Sequence, residues 1–409
     1  MLTNHPKSSE HPNIHEVTHG LPHFKEDEMD MFEVRAQAKA GGFQMFIDNL
    51  PAFAMEMYSV PVVKELYEKR KEFDLIVVDH MFNEVVYPFV HEVPFITIAT
   101  SGMDHRQSAV LGNVLNPAYA GNFMMEFPLP MSVWHRFLNT IAHIGTSWFW
   151  RNWAVVPLIQ KEISTLFPEL PPLLELERNM SLALLNTHFS ISKTLPLLPS
   201  QVEVGAMHCS PAKPLPQELE AWIMGAGSEG VIYFSLGSLC PAANDNVKVF
   251  ITHGGLLSLQ ESIYHGKPLL VIPIYGDQPK NAMFVKDSGL GQWLEWEELT
   301  VDDIIKALTD IINYTKYKEN VARMSVGLRD QLTSPKERAV FWTEYVIRHL
   351  GAPQLRCPAA QLSWVEFLML DVLLLLLLTL LILYLVLRRI FRAISGKIFD
   401  SDNSKEKSD

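Results

Sequence analysis

Three kinds of hydrophobic pattern alternate along the chain. Short unbroken apolar runs over 73–79 (FDLIVVD), 94–98, Val231–Ser235, Val247–Thr252 and 269–274 predict buried parallel strands. Helical periodicity runs between them: from about 31 to 71, with Phe43, Met45, Phe46, Leu50 and Phe53 as its apolar face, then over 83–91, about 256–264 and 335–349. Strands alternating with crossover helices predict doubly wound α/β sheets. The third pattern is a run without a charge, Val372 to Leu387, mostly leucine and extended by Leu368 to Leu370. About 20 residues of this kind can cross a bilayer, with Asp371 near one interface, where its cost is lower than at mid-bilayer. A buried core helix is the competing reading, but Arg388, Arg389, Arg392 and Lys397 follow directly and favour the membrane. By the positive-inside rule they put the short tail in the cytoplasm and the bulk of the chain in the lumen.

Prolines punctuate the pattern. Pro196, Pro199, Pro211, Pro214 and Pro216 mark 196–216 as a linker. The expected organisation is a first domain over 1–195, a second over 217–350, a juxtamembrane stretch over 351–367, a transmembrane helix over 368–387 and a tail over 388–409. Residues 131–165 are rich in aromatics, among them Trp134, Phe137, Trp148, Phe149, Trp150 and Trp153. At helical spacing such residues are more often core than surface.

Composition narrows the functions. A chain of 409 residues is long enough for two domains with full cores, and a formal charge of −12 argues against nucleic acid as a partner. Cys209, Cys240 and Cys357 have no metal or redox spacing. Asn179-Met180-Ser181 and Asn313-Tyr314-Thr315 are candidate glycosylation sites. Lys405 and Lys407 stand fifth and third from the end. That spacing resembles a retrieval signal of endoplasmic reticulum membrane proteins, and a merely solvated tail fits equally.

The densest information lies from Val247 to Gln278, VKVFITHGGLLSLQESIYHGKPLLVIPIYGDQ. A strand runs into His253-Gly254-Gly255, where small residues let a ligand approach the backbone. The helix that follows points its free N–H groups at that loop, which favours an anion such as a diphosphate. Asp277 and Gln278 lie just past the end of the next strand, where open α/β sheets place ligand contacts.

The combination of FITHGG, QESIYHG and IPIYGDQ resembles the signature of the UDP-glycosyltransferase family, in its membrane-bound UDP-glucuronosyltransferase-like branch. The resemblance implies GT-B architecture: two Rossmann-like α/β domains facing a cleft, plus a C-terminal transmembrane helix. It implies inverting, O-linked transfer of glucose or glucuronate from a UDP-sugar to small lipophilic acceptors, with no metal and no bound cofactor. It places donor contacts at Ser235, Gly237 and Ser238 (the FSLGS turn), at His253, Gly254 and Gly255 beside the diphosphate, at Glu261 for the ribose hydroxyls, and at Asp277 and Gln278 for the transferred sugar. Asp79, closing FDLIVVD, matches the aspartate that orients the base, and the carboxylate is expected to be buried. The aromatic stretch would shape the acceptor pocket and meet the membrane surface, and the 335–349 helix would cross back to the first domain. Localisation in the endoplasmic reticulum membrane and homo- or hetero-oligomers belong to the same expectation.

Two departures qualify it. The family's base, a histidine after the first N-terminal strand, has no counterpart, and that strand and a signal peptide are expected upstream of Met1. Between FSLGS and FITHGG, where the family carries roughly 50 to 60 residues including a uracil-stacking motif, Leu239 to Val249 alone are present. No strand–helix–strand unit fits eleven residues. Restoring both pieces, about 60 and about 50 residues, returns the family's usual length of about 520. A catalytically inactive shortened isoform that modulates an intact relative therefore stands as the alternative to an enzyme. Leu185, in LALLNTHFS, stands where glucuronate users carry an arginine, which favours UDP-glucose.

Overall fold

A computed structural model of the chain describes residues 1–3, 11–21, 32–33, 35–36, 43–102, 104–122, 127–236 and 244–405. The helical stretch expected over 31–71 is divided between α1 (Phe43–Ser59) and α2 (Pro61–Glu68). Pro61 makes the division: Val60 before it is extended (φ −68°, ψ 125°) and the ring opens a new helix. Within the first sheet's span lie α3 (His105–Val110), α4 (Val133–Phe149) and α5 (Val156–Leu166). Around the second sheet lie α6 (Gln217–Gly225), α7 (Leu256–Tyr264), α8 (Gln278–Asp287), α9 (Val301–Asn313) and α10 (Thr315–Arg329). The chain continues through α11 (Pro335–Arg348) to α12 (Leu370–Lys405).

The first parallel sheet runs in chain order: β1 (Ile76–Asp79), β2 (Phe95–Ala99), β3 (Met180–Leu185) and β4 (Gln201–Glu203). Its inner strands are apolar on both faces because both faces are covered. Phe95 and Leu185 share a core with Ala54 of α1 and Ile159 of α5, while Ile96, Leu182 and Leu184 pack with Ala339 and Val346 of α11. The last helix of this body thus returns to the first sheet. Ser181 Oγ donates to Gly351 O at 2.7 Å, and the chain as far as Cys357 stays in one compact unit. The expected juxtamembrane stretch therefore begins inside the body.

Two expectations fail here. Strand β1 is not buried, because it is the outer strand: Val77 and Asp79 are exposed. The 196–216 stretch is more than a linker, since Gln201–Glu203 pair with β3. Buried Gln201 is accommodated there by bonds from its Nε2 to Ser108 Oγ (2.9 Å) and from Asn113 Nδ2 to its Oε1 (2.6 Å).

The second parallel sheet contains β5 (Val231–Ser235), β6 (Val247–Thr252), β7 (Leu269–Val271) and β8 (Gly291–Trp293), neighbours in that order. Phe250, Leu269 and Val271 pack against Leu259, Ala282 and Val321 of α7, α8 and α10. Val249 and Leu270 pack against Ala307 and Ile311 of α9 on the other face. Despite the eleven-residue interval, β5 lies directly beside β6, with Tyr233 opposite Phe250.

Helix α4 is turned inside out. Its polar Asn139 and His143 are buried, with Asn139 Nδ2 donating to Pro117 O and Ala120 O at 2.7 and 2.8 Å. Trp134, Phe137, Ile141, Ile144 and Trp148 form an exposed stripe, and Trp153 beyond it is exposed too. Trp150 alone of the expected aromatics is core, its Nε1 donating to Glu84. The core reading of the others is overturned: buried polar contacts fix which side of the helix faces inward.

The second compact unit, Pro358–Asp409, carries one helical span, Leu370–Arg392, long and apolar enough to cross a membrane.

Candidate functional site

The carboxyl ends of β5, β6 and β7 assemble most of the expected donor residues. Thr252 closes β6 and is buried, and its Oγ1 accepts the Gly254 N–H at 3.3 Å. The chain can turn there because Gly254 takes φ +84°; a Cβ at this position would also lie 2.5 Å from Val271 Cγ1. Gly255 then caps α7 without a side-chain bond, so the first-turn N–H groups of the helix face the loop.

Asn281 knits the site together. Its Nδ2 donates to Gly254 O and to Asp277 Oδ2, both at 2.8 Å. Gln278 is buried, and its Oε1 accepts the N–H groups of Ile274 (2.7 Å) and Tyr275 (3.0 Å). Half of its amide thus shapes the turn that presents Asp277. Sequence reasoning missed Asn281. The available signal was spacing: on a helix the fourth residue after Asp277 shares its face.

His253 is half-buried, and desolvation holds its imidazole below the usual range, opposed by the nearby Asp277 charge. It is therefore neutral near pH 7. Its Nδ1 faces Thr252 Oγ1 at 3.4 Å. The threonine hydroxyl already accepts from Gly254, so the arrangement suits a tautomer with its proton on Nε2. Glu261, on α7, has one carboxylate oxygen buried without a hydrogen-bond partner. Burial raises its pKa to about 7.

Ser235 lies opposite Thr252 at the end of β5, while Gly237 and Ser238 lie outside the described residues, as does Cys240. Asp79 closes β1 of the other sheet. It is exposed rather than buried, and Oδ1 accepts the Met81 N–H at 2.8 Å. The edge position of β1 leaves it uncovered. Leu185 is buried in the first core. Asn179 and Asn313 are both exposed. Among the described residues no group of three histidine, cysteine or acidic side chains is placed to hold a metal.

Two contacts tie residues of the N-terminal half of the chain to the donor site. Buried Gln260 of α7 donates to Asn186 O at 3.1 Å, just past β3. Arg35 Nη1 donates to Pro273 O and Ile274 O at 3.0 and 2.8 Å, and its Nη2 pairs with Glu297.

The family profile "UDP-glucoronosyl and UDP-glucosyl transferase" matches residues 57–246 and 243–404. UDP-glycosyltransferase UGT5 of Dactylopius coccus is 28% identical, over 90% of this chain and 81% of its own length. UDP-glucuronosyltransferase 2B28 of Homo sapiens is 30% identical, over 76% of this chain and 68% of its own. That alignment runs over 367 positions, yet 76% of 409 residues is about 311, so about 56 positions face no residue here. The two pieces of the family match meet at 243–246, between β5 and β6. Among solved structures, that of LpCGTa in complex with UDP is similar with a TM-score of 0.41 and 15% identity, covering 70% of this chain and 79% of the other.

Proposed function

The chain belongs to the family of UDP-glucuronosyl and UDP-glucosyl transferases, and from that membership we propose how its own residues move a sugar. It is a glycosyltransferase that uses a UDP-sugar; the family match favours this over an inactive partner. The proposed acceptors are small lipophilic alcohols, with glucose or glucuronate transferred by inversion at the anomeric carbon. No metal or bound cofactor enters the proposal. The UDP-sugar is a co-substrate.

One observation carries the reading: His253, Gly254, Asp277, Gln278 and Asn281 form one continuous patch at the strand ends, beside the N-terminus of α7. Charge grows on the diphosphate as the glycosidic bond to it breaks. The Nε2–H of His253 and the first-turn N–H groups of α7 are donors fixed in advance for that charge. Asp277, held by Asn281, accepts sugar hydroxyls and fixes the ring for attack. Glu261 accepts the ribose hydroxyls. Asp79 has the place of the carboxylate that orients the base, with Oδ1 taken by the Met81 N–H; the histidine it would orient has no counterpart among the matched residues. Ser235 closes the phosphate side, together with Gly237 and Ser238.

Thermal unfolding of the detergent-purified chain with and without millimolar UDP is the direct test. A ligand specific for the native state adds about 2.7 kcal/mol at a hundred times its dissociation constant. The melting temperature is expected to rise with UDP, and to rise less in His253→Ala, which lacks the donor proposed for the diphosphate. A cooperative transition that UDP leaves unmoved would remove the nucleotide site from this chain.

The inside-out helix α4 supports a membrane role beyond the apolar span. Its exposed stripe has the tryptophans favoured at membrane interfaces, and the proposed setting is the lumenal face of the endoplasmic reticulum membrane with the tail cytoplasmic. The chain cut after Cys357 is expected to float with phosphatidylcholine liposomes. Changing Trp134, Phe137, Ile144 and Trp148 together to Ser should lower that partition by about three powers of ten, at on the order of 1 kcal/mol for each half-buried side chain. Unchanged flotation would show that the stripe does not meet lipid.

A further inference from the structure

Among the described residues, the outermost strand of the second sheet is open along one edge. Among the described residues β5 pairs with β6 alone. The Val231 N–H donates to Asn246 O at 2.9 Å, and Tyr233 sits between the bonding groups of β6. Alternation along the strand therefore aims the backbone N–H and C=O of Ile232 and Phe234 outward, along the open edge. The side chains of the same two residues share one face and are 44% and 58% exposed. Helix α9 covers that face over the inner strands, at Val249 and Leu270, and stops short of β5. An α/β sheet usually has both faces covered, and edges are usually blunted by Lys, Pro or a covering element. The stretch Val231-Ile232-Tyr233-Phe234-Ser235-Leu236 has no charge, no proline and no glycine. It is β-branched and aromatic, the composition of segments that pair with themselves.

We propose that a second copy of this chain docks on this edge, with the two β5 strands antiparallel about a two-fold axis at Tyr233. That register puts Ile232 opposite Phe234 of the second copy, and Phe234 opposite its Ile232. Both residues have their backbone groups turned outward, so each opposed pair exchanges two hydrogen bonds. On the uncovered face each pair is an aromatic against a β-branched side chain, a favourable cross-strand combination. An isologous contact sets identical surfaces against each other, and an uncharged strand meets no repulsion there. One register thus satisfies the open backbone and covers the exposed side chains together.

The test uses the full chain in detergent, with its protein mass measured by light scattering. The expected mass is that of a dimer. Ile232→Lys combined with Phe234→Lys should halve it, whereas Phe341→Lys, an exposed apolar site elsewhere, should leave it unchanged. In a chain with its three native cysteines changed to Ser, Tyr233→Cys should form an intermolecular disulfide under mild oxidation. Residues 233 of the two copies would stand about 4.5 Å apart at Cα, within disulfide reach. Ile232→Cys should not, because its two copies lie diagonally. A monomeric wild-type chain at tens of micromolar overturns the proposal. So does a dimer that survives the double lysine variant, or cross-linking through position 232 in preference to 233.

Discussion

His253→Ala is expected to lower transfer from a UDP-sugar by about a hundredfold, the usual effect of removing one donor aimed at developing charge. The imidazole is neutral, so what is lost is a directed N–H and not a cation. His253→Gln, which restores a donor at similar reach, should recover part of the loss, whereas a purely electrostatic role would predict no recovery. Gly255 makes the stronger case. A Cβ there would lie 2.5 Å from His253 Nε2, the atom proposed to meet the phosphate. The backbone of Gly255 is unstrained for any residue (φ −58°, ψ 143°). Gly255→Ala should therefore act on the imidazole and hardly on the fold: turnover falls toward the level of His253→Ala while the melting temperature holds within a few degrees. Full turnover in Gly255→Ala would mean that Nε2 does not face the donor.

The stretch around this loop was legible for a physical reason. Apolar strand, glycine turn and helix are set by neighbours a few residues apart, and β6 (Val247–Thr252) and α7 (Leu256–Tyr264) fall where the pattern puts them. What failed depends on distant pairing. The run FDLIVVD reads as a buried strand, but nothing local says that β1 is an outer strand, so the exposure of Asp79 could not be read. The aromatics of 131–165 stand at helical spacing, which does not say which face is inward; Pro117 O and Ala120 O settle that by capturing Asn139. The prolines of 196–216 suggested a bare linker, and the three residues of β4 among them were too short a pattern to stand out.

The site shows the same division. Residue types suited to a phosphate or a sugar were visible in the sequence, and the structure joins Gly254 and Asp277 through Asn281, with His253 beside them. The support for them was hidden. Gln278 was expected to contact the sugar, yet it is buried with Oε1 committed to the N–H groups of Ile274 and Tyr275. Asn281, which holds both Gly254 and Asp277, belongs to no motif that was quoted. The contact of Gln260 with Asn186 O joins residues 74 apart in the chain, beyond the reach of any local pattern.

Uridine binding should weaken as pH falls below 7, and Glu261 is the reason. Burial raises this carboxyl to about 7 from its usual 4.5, so the fold itself prefers the protonated acid. That contribution to stability is complete below about pH 4.5 and is lost as pH rises through 7. Ribose hydroxyls donating to Glu261 favour the opposite form, the carboxylate, because its buried oxygen otherwise lacks a partner. Binding must then draw on the ionised fraction, which is small at pH 6 and nearly complete at pH 8. Affinity is expected to be about tenfold weaker at pH 6 than at pH 8, with one proton released on binding at the acid end. Uridine is the right probe because it has no phosphate, either to titrate in this range or to engage His253. Calorimetry in two buffers of different ionisation enthalpy counts the proton directly. Glu261→Gln should bind uridine weakly at both values and release none. A wild-type profile that is flat from pH 6 to 8 would place the ribose elsewhere on the sheet's carboxyl edge.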